Sequence, residues 1–230
     1  MKAIILLGAP GVGKGTVAEA IRDKMKLAHL STGDMLRAAV KAGTPTGQKA
    51  ESFMKRGELV PDEVILDLVF DRIDREAKDT VYLFDGFPRT IEQATMLDNG
   101  LARREGAVER VVLLDAPRDL CIERLCGRLT CRKCAAIYHA KNHPPKVAGR
   151  CDLCGGDVVT RPDDKRETIE NRLDVFKRQT EGLVALYDER GLLVRINSAQ
   201  PKEKTIADTV RALGEKKRGP EQVGCDPNKK

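Results

Sequence analysis

Three groups of residues in this sequence carry chemistry by type and spacing. The first is the run Gly8-Ala9-Pro10-Gly11-Val12-Gly13-Lys14-Gly15-Thr16. Gly8, Gly13 and Lys14 satisfy the spacing G-x-x-x-x-G-K; the next position departs from the general motif, with Gly15 there and the hydroxyl one step later at Thr16. Glycines let backbone N–H groups turn inward around a polyphosphate with no Cβ in the way. A following helix N-terminus adds positive dipole and Lys14 adds a full charge. An apolar run at residues 3–7 precedes the loop and a helical pattern begins near Thr16. Strand, glycine-rich turn and helix together favour a phosphate-binding loop over a ligand-free turn. Alone, the loop indicates only that a nucleoside triphosphate binds.

The second group is cysteine. Cys131-Arg132-Lys133-Cys134 and Cys151-Asp152-Leu153-Cys154 are two C-x-x-C pairs separated by sixteen residues, the spacing of a zinc site. Four thiolates close a tetrahedral shell with no open position, so the expected role is structural. The surrounding segment has few apolar residues, and a structural metal supplies on the order of 10 kcal/mol of apparent folding free energy in such cases. A redox dithiol is the rival reading; two matched pairs fit it poorly. His139 and His143 read as ordinary surface histidines, and Cys121 and Cys126 as packing residues.

The third group is arginine. Arg37, Arg89, Arg124, Arg128, Arg161 and Arg172 fall near expected element ends or flank the cysteine segment. Arginine suits bidentate phosphate recognition. Arg89 follows Asp85-Gly86-Phe87-Pro88 at the end of an apolar strand, a position hard to explain by solvation. Phosphoryl transfer needs positioning and charge neutralisation more than covalent chemistry. A phosphate acceptor brings its own nucleophilic oxygen and requires no general base. A hydroxyl acceptor would instead want a poised carboxylate, and Asp85 could play that part.

The elements that must position these groups follow from periodicity. Strands are expected at 3–7, 27–30, 80–84, 110–114 and 192–196. Helices are expected at 16–25, 35–40, 48–56, 91–101, 118–126, 164–190 and 205–213, and another from Pro61, with Val64, Ile65, Leu68, Val69 and Ile73 at helical spacing. In this reading Arg124 and Arg128 lie four apart on one helix face. Residues 31–60 read as short bent helices forming a movable flap, and 129–160 as an insert without helical period. Strands alternating with helices predict an α/β fold with a parallel sheet covered on both faces. The ligand then sits at the carboxyl ends of the strands, where the glycine loop, Thr32, Asp85 and Asp115 fall.

The chain of 230 residues is 41% hydrophobic and 33% charged, with formal net charge +6, enough for one full core plus an inserted subdomain. No apolar run approaches the roughly 20 residues of a membrane span. The N-terminus has no signal-peptide pattern, so the expected compartment is the cytoplasm. With three Tyr, five Phe and no Trp, a stacking platform for single-stranded nucleic acid is not expected; the charge suits phosphate-bearing small molecules. Residues 214–230 read as a disordered, solvated tail.

Gly8 to Thr16, Ser31-Thr32-Gly33-Asp34-Met35-Leu36-Arg37, Asp85-Gly86-Phe87-Pro88-Arg89-Thr90 and Arg161-Pro162-Asp163-Asp164 together resemble adenylate kinase, of the bacterial long-lid type with zinc. The resemblance runs in order over roughly residues 1–213. It implies transfer of the terminal phosphoryl group of ATP to AMP, giving two ADP, with magnesium. It implies a five-stranded parallel sheet in a core of residues 1–30, 61–126 and 165–213, an AMP flap at 31–60 and a zinc lid at 127–164. Gly11, Val12, Gly13, Lys14, Gly15, Thr16, Arg124, Arg128, Ile137, Tyr138 and Gln200 would contact ATP. Thr32, Arg37, Glu58, Leu59, Val60, Gly86, Phe87, Pro88, Arg89, Gln93, Arg161 and Arg172 would form the AMP site, with Glu58 and Gln200 acting through backbone. Lys14, Asp85, Arg89, Arg124, Arg128, Arg161 and Arg172 would be the catalytic set, Asp85 orienting magnesium through water. Cys131, Cys134, Cys151 and Cys154 would hold zinc. The chain would act as a monomer on ATP, AMP and ADP. A kinase for another monophosphate, a nucleic-acid-binding module built on the knuckles, and an ATP-binding switch without turnover are the competing readings.

Overall fold

The first strand sets the layering. In the computed structural model, which describes residues 1–77 and 79–214, β1 (Lys2–Leu7) is buried at every position after Lys2. Its side chains alternate: Ala3, Ile5 and Leu7 enter one core, Ile4 and Leu6 the other, as the period-2 geometry of a strand demands. A strand covered on both faces needs a continuous apolar run, which β1 has. It pairs in parallel with β3 (Val81–Asp85) on one side and β4 (Ala107–Asp115) on the other. With β2 (Ala28–Ser31) and β8 (Leu193–Asn197) at the edges, the five-stranded parallel sheet runs β2-β3-β1-β4-β8. The expected α/β architecture is therefore present.

One face is covered by α4 (Asp62–Asp74), α5 (Ile91–Ala102) and α8 (Gly182–Glu189); the other by α1 (Lys14–Met25), α6 (Arg118–Cys126), α7 (Arg166–Val175) and α9 (Lys202–Gly214). Two further helices, α2 (Thr32–Lys41) and α3 (Pro45–Arg56), pack against each other beyond the β2 edge. Each is capped by a side chain: Ser31 accepts from the Asp34 N–H, Thr44 from the Gly47 N–H, which satisfies an orphan donor of the first turn. Thr44 and Pro45 start α3 earlier than the expected residue 48, since proline at the first helical position is pre-organised.

Residues 128–159 form a second, antiparallel sheet, β6-β5-β7, from β5 (Arg128–Cys131), β6 (Ile137–His139) and β7 (Val158–Val159). Its buried core is only Cys131, Tyr138, Cys151 and Val158.

Three expectations are corrected. The single helix over 164–190 is two helices joined by a π turn, Phe176–Thr180, in which the Glu181 N–H donates to Phe176 O five residues back. The widened turn lets one continuous segment serve both faces: Ile169 and Leu173 of α7 enter one core, Leu183 and Tyr187 of α8 the other. Arg128 does not share a helix face with Arg124, because α6 ends at Gly127 and Arg128 opens β5. Cys121 is buried as expected, but Cys126 is exposed at the last turn of α6. The expected tail beyond Gly214, with Cys225, lies outside the described residues.

Candidate active site

The turn after β1 is shaped by its neighbours. Gly8 has φ +140° and Gly11 φ +84°; a Cβ on Gly11 would lie 2.5 Å from Cys121 O, and one on Gly8 would strike Leu114 O. Positive φ and close backbone approach both demand glycine here. Gly13, also at positive φ, caps the N-terminus of α1. Arg124 braces the loop from beneath, donating to Val12 O (3.2 Å) and Ser198 O (2.8 Å), and the Ser198 hydroxyl donates to Val12 O at 2.5 Å. The Lys14 ammonium rests on the loop, donating to Gly8 O at 2.7 Å and Ala9 O at 3.0 Å. Burial pushes its pKa down to about 8, with Asp85 opposing the shift and Arg89 and Arg172 adding to it.

These residues line one cleft of about 540 Å³ at the carboxyl ends of the strands. Gly11 to Thr16, Arg124, Arg128, Ile137, Tyr138 and Gln200 lie along it, and so do Asp85, Gly86, Pro88, Arg89, Arg161 and Arg172. A narrower arm of about 60 Å³ is lined by Thr32, Arg37, Glu58, Leu59, Val60, Phe87 and Gln93, among others. The Glu58 carboxylate turns outward to Arg56 (2.7 and 2.9 Å). Asp115, although at a strand end, is exposed and outside both cavities.

The arginines come from separate elements and are only partly neutralised. Arg128 makes a bidentate pair with Asp164 (2.5 and 2.7 Å), and Arg172 meets Asp163 (3.0 Å) and Asp164 (3.3 Å). Arg161 donates to Thr130 Oγ1 at 2.9 Å, and Arg89 to Gly86 O at 2.7 Å. Burial, then repulsion from Arg172, lowers Arg89 to about 10; burial, then repulsion from Arg128, lowers Arg161 to about 10. They stay charged at neutral pH, in surroundings that penalise the charge. An anion among them relieves that penalty. Gln93 is buried, its carboxamide accepting from the Arg89 N–H (2.7 Å) and donating to Asp62 (2.6 Å); Thr32 Oγ1 donates to Gly86 O at 3.0 Å.

The sequence reading missed several lining residues. His139, Asn142 and His143 face the cleft from the cysteine-bearing segment, and Val175, Phe176 and Thr180 from the π turn. His29 lies 3.7 Å from Asp85 Oδ2. Ser198 was reachable from sequence, since it follows the carboxyl end of a strand; the π turn left no periodic signal. The flap and the cysteine segment also touch, Lys41 Nζ donating to Arg132 O at 3.2 Å.

The four sulfurs of Cys131, Cys134, Cys151 and Cys154 all lie within 4.8 Å of one another. A tetrahedron of sulfurs about 2.3 Å from a zinc ion has edges of about 3.8 Å, so the donor set suits a metal ion of that size. The Tyr138 hydroxyl lies 3.4 Å from Cys151 Sγ, a hydrogen bond that holds the Cys151 thiol down to about 6. Among the described residues no helix is long and apolar enough to cross a membrane.

Comparison with known proteins agrees with this geometry. The family model for adenylate kinase matches residues 6–192. Adenylate kinase of Moorella thermoacetica is 47% identical over 211 residues, covering 92% of this chain and 97% of that protein. That of Carboxydothermus hydrogenoformans is 47% identical over 210 residues (91% and 98%), and that of a Geobacillus species 44% over 211 (92% and 98%). The chain belongs to the adenylate kinase family and has its activity, conversion of ATP and AMP to two ADP.

Proposed function

We propose that the cleft binds Mg-ATP along the glycine loop and AMP in the narrower arm, and that the two close on each other with water excluded. The convergence of Lys14 with Arg89, Arg124, Arg128, Arg161 and Arg172 around one cavity carries this reading. Loop N–H groups and Lys14 hold the donor phosphates, with Arg124 fixing the loop. Arg89, Arg128, Arg161 and Arg172 neutralise the charge that spreads over the transferred group, the main demand of phosphoryl transfer. The acceptor oxygen of AMP is already anionic, so no side chain needs to take a proton. Thr32, Arg37, residues 58–60, Gly86 to Arg89 and Gln93 hold AMP. Ile137 and Tyr138 face ATP from the lid, and Gln200 from the core.

Asp85 ends β3 with its carboxylate toward the glycine loop, 3.6 Å from where a Cβ on Gly15 would stand. A carboxylate beside a phosphate loop fits magnesium held through water. The ion bridges and neutralises phosphate oxygens. Cys131, Cys134, Cys151 and Cys154 hold zinc as a structural centre. Residues 31–60 act as the AMP flap and 127–164 as the lid on a core of 1–30, 61–126 and 165–213. The Lys41–Arg132 contact supports direct meeting of flap and lid, which excludes water from the transferred phosphoryl group. The protein acts as a cytoplasmic monomer without nucleic-acid partners.

Transfer from Mg-ATP to AMP, GMP, CMP and UMP on one zinc-replete preparation tests the reading. Fast ADP formation with AMP alone is expected. Preference for another monophosphate overturns the acceptor assignment. ATP binding without transfer to any of them overturns the arginine mechanism.

A further inference from the structure

Tyr138 stands among residues expected to meet ATP, yet its side chain is 4% exposed and points into the lid core. The Asp152 N–H donates to the Tyr138 oxygen at 2.8 Å, and Cys151 Sγ lies 3.4 Å away. A phenol has one proton to give. With the backbone amide filling its acceptor side, that proton is directed at the Cys151 sulfur. The ring stacks on His143, centroids 5.6 Å apart and planes 12° from parallel. His143 in turn exchanges both backbone hydrogen bonds with His139 (2.9 and 3.1 Å). Ile137, His139 and His143 face the cleft. One side chain therefore touches the sulfur cluster at its tip and the cleft-lining hairpin at its ring.

We propose that Tyr138 is a positioning residue that ties the lid metal centre to the nucleotide-facing edge of the lid, so that metal occupancy sets affinity for the triphosphate. The inference rests on the reading of the lid as a metal-bearing cover over ATP. A hydrogen bond to a ligating sulfur both fixes its orientation and tunes its donor strength, and loss of such a partner typically costs 10–100-fold in metal affinity.

Tyr138→Phe in the full chain removes the hydroxyl and keeps the ring. Zinc competition against a chromophoric chelator is expected to show about tenfold weaker binding. In cobalt-substituted protein the sulfur-to-metal charge-transfer band is expected to shift at unchanged cobalt content, which a general loss of stability would not produce. Mg-ATP affinity, measured with a non-hydrolysable analogue, is expected to weaken severalfold with AMP affinity unchanged. Tyr138→Leu, which also removes the stack, is expected to weaken Mg-ATP further. Unchanged zinc affinity and cobalt spectrum in Tyr138→Phe overturn the proposal, as does altered metal binding with Mg-ATP affinity intact. A parent protein that fails to take up one zinc or cobalt per chain overturns the metal reading itself and this inference with it.

Discussion

The floor of the cleft and its lid are ordered by different means. The floor is held by a parallel sheet whose central strand is buried on both faces, and by a loop pressed between Leu114 and Cys121. The lid has a sheet whose shortest strand is two residues, and four buried side chains, two of them cysteines. Apolar burial of about 25 cal/mol per Å² fixes the first; the second is too small for that and relies on its sulfurs. Chemistry and cover thus draw on separate sources of cohesion, and perturbations of one should leave the other standing.

The largest expected effect tests the floor. Arg89→Ala is expected to lower turnover by roughly 10³ to 10⁵, by analogy with arginine fingers, with the melting temperature kept. A rate within about tenfold of the parent would remove Arg89 from the reacting centre. The second tests the lid. Cys131→Ser, or chelation of the metal, is expected to lose hydrogen-exchange protection over residues 127–164 while the sheet stays protected, with less loss of rate than Arg89→Ala. Complete inactivation with melting temperature and zinc content unchanged would show that the cysteines serve chemistry, and the contrast would collapse.

A third concerns Lys14, whose folded pKa of about 8 lies below its ordinary 10.5. Below pH 8 it is charged in both folded and unfolded chains. Between about 8 and 10.5 the unfolded chain binds more protons, so the nucleotide-free protein should gain stability as pH rises through that window. Triphosphate affinity should move the opposite way, falling above pH 8 by at most about tenfold per unit. Lys14→Arg should flatten both trends; a titration in which the variant and parent fall together would refute the assignment. The smallest effect is in the flap. Thr44→Ala removes the cap of α3 and is expected to cost about 1 kcal/mol, read as faster exchange over residues 45–56 with β1 unaffected.

Legibility in the sequence followed the same divide. β1 and the glycine loop are readable because an unbroken apolar run can be buried only on both faces, and the loop's glycines answer to backbone approach. The cysteine spacing made the sulfur cluster readable without any secondary structure. What escaped depended on tertiary partners. Arg128 looked helical because Gly127 breaks the period only when the helix end is known. The pairing of Arg128 and Arg172 with Asp164 and Asp163 joins residues up to 36 apart in the chain. His143 is polar by type, and only the stack on Tyr138 reveals its place.

The π turn at Phe176–Thr180 makes this segment intolerant of a change in length. Deleting one residue there would restore a regular helix and rotate everything beyond it by about 100°. Leu183 and Tyr187, both fully buried, would leave the core, whereas many single replacements in the turn would not move them. Residues 166–189 are therefore expected to vary in composition among relatives while keeping their count, and a one-residue gap in an alignment there would mark a rebuilt neighbour rather than a neutral loss.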